Sequence, residues 1–145
     1  MKKSIKIKSF IGAVVIASTL SGCMAGLNSR QKKEYAAFEQ NNVLIEEKSP
    51  STGALLGILP GFGSFYVGEI GFGIVNLVLW PYSILWDPLN GYHGAKVINY
   101  DSTKQSLKRE KQKEISILTE QLALNQIDNK MYLLKKGAVE QKYAY

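Results

Sequence analysis

Apolar and polar positions fall in blocks along this chain. Lys2, Lys3, Lys6 and Lys8 precede an apolar run over residues 10–20, and small residues then lead to Cys23. Residues 24–51 are polar and of mixed charge; between Lys48 and Asp87 the only charged side chain is Glu69; from Asp101 onward charged residues are again frequent. A basic head, a short apolar run and small residues at its end have the form of a secretory signal, and the run is too short to span a bilayer. Residues 1–22 are therefore set apart from the fold.

Each remaining block predicts an element. Residues 23–51 read as a tether, part helical, or as an ordinary solvated linker. Asn28 or Ser29 can cap a short helix through R-Q-K-K-E-Y-A-A-F-E-Q, in which Tyr35 and Phe38 form one narrow apolar stripe. Residues 52–90 divide at Glu69 into two apolar arms, 49–68 and 70–86, each near the lower length limit for crossing hydrocarbon. The expectation is two short helices in a tight hairpin. Gly53, Gly57 and Gly61 recur at a spacing of four, which would put them on one helical face and let another backbone approach closely. Pro60 and Pro81 would kink their arms. Trp80, Tyr82, Trp86 and Tyr92 gather near the end of the second arm, as an interfacial aromatic belt would. The same arms also suit the glycine-rich core of a soluble domain. Residues 91–100 read as a turn and a short extended or irregular connector, with His93 a plain interfacial side chain. Residues 101–145 are helical in pattern: Ser102 and Gln105 form a capping box, and Ile115, Leu118 and Leu122 share a stripe. The polar run 104–114 is a solvated face or a basic patch for anionic lipid head groups.

Composition narrows the chemistry. With one cysteine and one histidine there is neither a disulfide nor a zinc cluster to build. No nucleophile can be paired with a base, and G-F-G-S-F-Y-V-G lacks the lysine and Ser/Thr of a phosphate loop. Catalysis, a small-molecule substrate and a metal are not expected. Four of the 18 basic residues and none of the 12 acids lie in residues 1–22, so the formal +6 falls to about +2 without them. A nucleic-acid partner on charge grounds is thereby excluded.

Three stretches resemble known families. L-S-G-C, Leu20, Ser21, Gly22 and Cys23, resembles the lipobox of bacterial lipoproteins at all four positions. That resemblance implies that Cys23 receives an S-diacylglycerol, becomes the first residue of the mature chain and then takes an N-acyl group of the palmitate type. Met24, where inner-membrane lipoproteins carry aspartate, implies the outer membrane rather than the inner. G-F-G-S-F-Y-V-G-E-I-G-F-G-I resembles the TM-two domain family, small proteins with two short membrane helices. Phe65, Tyr66 and Gly68 match its turn, Gly71, Gly73 and Ile74 the following element, and Trp86 with Asp87 its close. Gly63 and Ser64 depart from the polar pair usual there, so no role of that pair carries over. L-A-L-N-Q-I-D-N-K-M-Y-L-L-K-K resembles the short C-terminal oligomerisation module, through Leu118, Leu122, Ile127, Asp128, Tyr132 and Lys136, with Asn125 in the glycine position. Asn suits that position because it tolerates the left-handed conformation.

The sequence thus predicts an all-α, membrane-associated chain: signal peptide, short tether helix, two-helix apolar hairpin, and a C-terminal amphipathic helix with a short helical hairpin. The expected role is that of a lipid-anchored envelope lipoprotein, structural or scaffolding, whose partners are membrane lipid and either itself or an envelope protein. The alternative is a membrane-active or transport-accessory subunit that oligomerises through the helices bearing Gly53, Gly57 and Gly61. A hairpin that crosses the bilayer would put Glu69 on the far side; arms that dip into one leaflet would not. The Glu69 turn carries no Lys or Arg, which gives a full crossing no support from the positive-inside rule.

Overall fold

The computed structural model describes residues 26–145. The expected signal peptide, with Leu20, Ser21, Gly22 and the lipidation site Cys23, lies outside the described residues. All regular structure among the described residues is helical: α1 (Ser29–Gln40), α2 (Pro50–Leu56), α3 (Phe62–Tyr66), α4 (Ile70–Val78), a 3₁₀ turn (Tyr82–Leu85), α5 (Asp87–Ala123) and α6 (Asn129–Lys142). Among these residues no helix is long and apolar enough to cross a membrane.

The expected two-helix hairpin is therefore three short helices and a turn. α2 starts where Ser49 Oγ accepts the Thr52 N–H and Pro50 takes a first-turn position. It stops at Gly57, shortly before Pro60, and Gly61 adopts a left-handed φ of 80° that starts a new direction. Gly68, at φ 84°, separates α3 from α4 in the same way. Gly53, Gly57 and Gly61 are consequently not on one helix: the first lies inside α2, the second ends it and the third precedes α3.

The irregular connector expected over 91–100 is helical, and Ser102 is inside α5 rather than at its start. Gly91 and Gly94 carried the turn reading. In the fold they are points where α5 packs closely, Gly91 against the Gly53 carbonyl and Gly94 against Val67. Close packing outweighs the roughly 1 kcal/mol by which each glycine disfavours a helix.

Two compact units form. The first comprises residues 26–32 and Glu46–Asn99, the second Lys33–Ile45 and Tyr100–Tyr145. At the head of α1, Asn28 and Gln31 cap reciprocally, each side chain accepting the other's backbone N–H at 3.0 and 2.9 Å. In the second unit Phe38 is buried, stacked on Tyr100 at 5.9 Å and edge-on to Tyr145 at 5.4 Å. Glu34 accepts from Tyr100 Oη at 2.5 Å and Lys104 Nζ at 2.8 Å. The Glu34 contact first, then Tyr100, holds the Lys104 ammonium above its ordinary pKa. The Ile45 N–H is tied to Thr103 Oγ1 at 2.9 Å. After α5 the chain reverses at Asn125, left-handed at φ 56°, and Asp128 caps α6 by accepting the Met131 N–H at 2.7 Å.

Candidate functional site

The first unit has its polarity reversed. Ser64, Asn76, Ser83 and Asp87 are all fully buried, and Asn90 nearly so. Large apolar side chains instead cover the outside: Val78 is 76% exposed, Leu85 74%, and Leu55, Ile58, Ile70, Ile74, Trp80, Tyr82 and Leu89 are exposed as well. Chains that fold in water bury their aliphatic residues and keep contiguous apolar patches small.

Asp87 organises the interior. Its Oδ1 accepts the Ser64 N–H at 3.1 Å, the Ser64 hydroxyl at 2.5 Å and Asn76 Nδ2 at 2.7 Å, while Oδ2 accepts the Gly63 N–H at 3.1 Å. The two backbone donors belong to the first turn of α3, whose N–H groups have no partner within the helix, so Asp87 caps α3 across the fold. Ser64 Oγ in turn accepts from Asn76 Nδ2 at 3.0 Å and Asn90 Nδ2 at 2.8 Å. Trp86 Nε1 donates to Asn76 Oδ1 at 2.8 Å. Two other buried polar atoms, Ser83 Oγ and Asn90 Oδ1, have no hydrogen-bond partner among the described residues.

Glycines bring these groups together. A Cβ on Gly53 would lie 2.4 Å from the Gly91 oxygen, one on Gly57 2.3 Å from the Pro88 nitrogen, and one on Gly61 2.3 Å from the Gly73 oxygen. The faces that lack side chains are thus filled by backbone of the same chain. Of the turn motif, Phe65 lies in the apolar surface with its ring against Gly73, and Gly71 faces open space. Tyr66 accepts the Ser49 N–H on its hydroxyl at 2.9 Å, with Lys48 Nζ 4.8 Å above its ring. Trp86 and Asp87 belong to the polar core. His93 lies edge-on to Tyr92 at 5.4 Å, and a Cβ on Gly26 would come 3.0 Å from its ring.

These contacts give the unit two unlike ends. α2 runs from Ser49, beside Tyr66, to Gly57, beside Asp87 and Pro88; α3 runs back from Gly63, beside Asp87, to Tyr66. α4 brings Asn76 to Asp87, and α5 returns from Asp87 to Gly94, which lies against Val67. Lys48 and Asn99 close one end with two 2.8 Å hydrogen bonds, the Lys48 N–H to Asn99 Oδ1 and Asn99 Nδ2 to the Lys48 carbonyl. Lys48 and Tyr66 share that end, with the Gly68–Glu69 turn two residues beyond Tyr66, and His93 lies midway along the Asp87–Asn99 stretch of α5. The segments 57–61 and 79–86, without a charged residue, form the other. The aromatic belt expected of Trp80, Tyr82, Trp86 and Tyr92 is divided: Trp80 and Tyr82 are exposed in the segment 79–86, Trp86 is bonded into the polar core, and Tyr92 neighbours His93 on α5.

In the second unit α5 and α6 border an open groove of about 310 Å³ lined by Ile117, Leu118, Ala138 and Val139, with Glu114 and Lys135 also on it. Glu114 accepts from Lys142 Nζ at 2.6 Å and Tyr143 Oη at 2.9 Å. Those two contacts, Lys142 first, lower the Glu114 pKa below its ordinary value, and the Glu114 contact raises that of Lys142. Ser64, Asn76, Asn90 and Asn99 are the contributors that motif reading missed. The available signal was Asn76, a single amide inside the otherwise apolar helix I-G-F-G-I-V-N-L-V.

No family model, curated protein or solved structure matches this chain.

Proposed function

We propose that this chain is a lipid-anchored lipoprotein of the bacterial envelope whose first unit is embedded in a membrane, with a structural or scaffolding role and no catalysis. The observation that carries this reading is the reversal of polarity in the first unit: a hydrogen-bonded core of Ser64, Asn76, Asp87 and Asn90 under a shell of exposed aliphatic and aromatic side chains. In water such a shell costs about 25 cal/mol for each Å² left exposed, whereas hydrocarbon removes that cost and penalises unpaired polar groups instead. The lipobox supplies the anchor, since Cys23 would carry an S-diacylglycerol and an N-acyl chain, and several acyl chains hold a protein to a bilayer durably. The groove between α5 and α6, with exposed Leu133 and Leu134 on α6, suits capture of a second copy or an envelope partner.

The test is expression of the full chain with a C-terminal tag in a bacterial host, followed by metabolic labelling with a fatty-acid analogue and separation of the two membranes. The expected result is a labelled, carbonate-resistant protein in the outer-membrane fraction. Cys23→Ser should accumulate as an unlabelled, slower-migrating precursor. Unchanged processing of that variant, or wild-type protein in the soluble fraction, refutes the proposal.

A further inference from the structure

Building on that membrane placement, we infer that the first unit inserts into a single phospholipid leaflet and does not cross the bilayer, with both of its chain ends and the Gly68–Glu69 turn at the same head-group surface. Three observations meet in this geometry. The first is length: α4, the longest helix lying wholly in the unit, has nine residues and rises about 14 Å, matching one leaflet of a hydrocarbon core about 30 Å thick. The second is the arrangement of charge along the unit. Lys48 and Glu69 lie toward the end closed by the Lys48–Asn99 clasp, while Ile58, Leu59, Leu79, Trp80 and Leu85 lie toward an opposite end whose one carboxylate, Asp87, is fully buried and accepts four hydrogen bonds. The chain therefore descends and returns twice, through α2 and α3 and then through α4 and α5. A two-helix crossing would have put Glu69 farthest from Lys48; instead Tyr66, two residues before Gly68, is bonded to Ser49 at 2.9 Å.

The third observation is the seat of Gly26 and Leu27. Gly26 packs on His93, in the stretch of α5 between Asp87 and Asn99, and Leu27 is buried, so the chain is seated on the unit from its first described residues. Three residues reach about 10 Å. Acyl chains on Cys23, three residues before Gly26 in sequence, would therefore enter the bilayer close to the unit. Tyr66 and Tyr92, each with a lysine above its ring at 4.8 and 5.0 Å, then occupy the interfacial level instead of Trp80 and Tyr82.

The experiment adds the full-length acylated protein to sealed vesicles of phosphatidylethanolamine and phosphatidylglycerol. Flotation reports binding and a membrane-impermeant maleimide reports access. Glu69→Cys and Leu85→Cys suit this purpose: the Glu69 side chain makes no cap hydrogen bond, and Leu85 is 74% exposed in the protein, so neither supports the fold. The expected result is that Glu69→Cys labels as fast as Glu46→Cys in intact vesicles, and Leu85→Cys labels only after detergent is added. Labelling of Glu69→Cys that waits for vesicle lysis establishes a crossing and overturns the inference while leaving the membrane placement intact. Rapid labelling of Leu85→Cys on floating vesicles, or its protection in detergent by a second copy, overturns leaflet insertion. Failure of the wild-type chain to float removes the membrane placement itself.

Discussion

Replacing Asp87 by alanine should strongly destabilise the first unit. The carboxylate accepts four hydrogen bonds, from the Gly63 and Ser64 backbone, the Ser64 hydroxyl and Asn76, and is fully buried. Two of these donors have an escape. The Ser64 hydroxyl can rotate, and Asn76 Nδ2 retains its 3.0 Å contact with Ser64 Oγ. The Gly63 and Ser64 N–H groups have none, because they stand in the first turn of α3. Each buried donor left unpaired costs about 1–3 kcal/mol, so the pair costs about 2–6 kcal/mol before any cavity is counted. A small domain has about 5–15 kcal/mol of stability in all, so a loss near the upper figure removes most of it. Tryptophan fluorescence during denaturant titration of the detergent-solubilised chain reads this directly, since the Trp86 indole is bonded to Asn76 within the same network. The denaturation midpoint of Asp87→Ala should fall by the equivalent of at least 2 kcal/mol, by the orphaned-donor figure above. Combined with Asn76→Ala the losses should be less than additive, because both variants act on one network. A midpoint within about 0.5 kcal/mol of wild type, the usual range for an unimportant surface change, would show that the network does not hold the unit together.

Glycine substitutions should divide by site. Gly53→Ala places a Cβ 2.4 Å from the Gly91 carbonyl oxygen, about 1 Å inside the 3.4 Å at which ordinary contact begins. Overpacking of that kind costs about 1–3 kcal/mol and exceeds the gain of about 1 kcal/mol in helix propensity, so thermal stability should fall. Gly71→Ala meets nothing within 4 Å and should stabilise α4; equal effects at the two sites would contradict the packing assigned to α2 and α5. At the other end of the chain, the Glu114 contacts with Lys142 and Tyr143 set a pH window. Because the folded Glu114 pKa lies below its ordinary 4.5, its contribution is present above that value and lost as pH falls through the lowered one. Hydrogen exchange in α6 should accelerate over that acid range, and Glu114→Gln should flatten the dependence.

Helical class, the abrupt apolar block, the caps of α1 and α6, and the left-handed Asn125 can all be read from local pattern, because each is decided within a few residues. The path of the apolar block cannot. Apolar periodicity favours two continuous arms, although the Pro60–Gly61 pair is a local turn signal that separates Gly61, which turns left-handed, from Gly53, which stays helical. Where each glycine packs is set by partners distant in sequence: Gly53 lies against Gly91, Gly61 against Gly73. Residues 91–100 misled for the converse reason. Their glycines suggested a turn, yet they are where α5 accepts its neighbours. Asp87 was noticed as the close of a motif, and its partner Ser64 only as a departure from one. The hydrogen bond between them spans 23 residues and has no periodic signature.

The buried network and the broken helices explain one another. Segments 57–61 and 79–86 interrupt helical pairing, and Pro60 and Pro81 bring no N–H of their own to the turns. In water such interruptions are solvated, and a short helix can leave its first N–H groups to solvent. In hydrocarbon each would stand unpaired, which is why unbroken helices are the rule there and breaks occur only where protein supplies the missing partner. Asp87 is that partner for α3, and Asn76 and Asn90 tie the capped turn to α4 and α5. Apolar burial cannot hold helices together inside a lipid leaflet, since the tails are as apolar as the side chains; close backbone approach and polar bonds must do so. Both devices are present where the short helices meet, glycine against backbone at Gly53, Gly57 and Gly91, and amide against carboxylate at Asn76 and Asp87. A unit of this construction has no need of a helix long enough to span the bilayer, and the absence of one among the described residues is compatible with immersion in lipid.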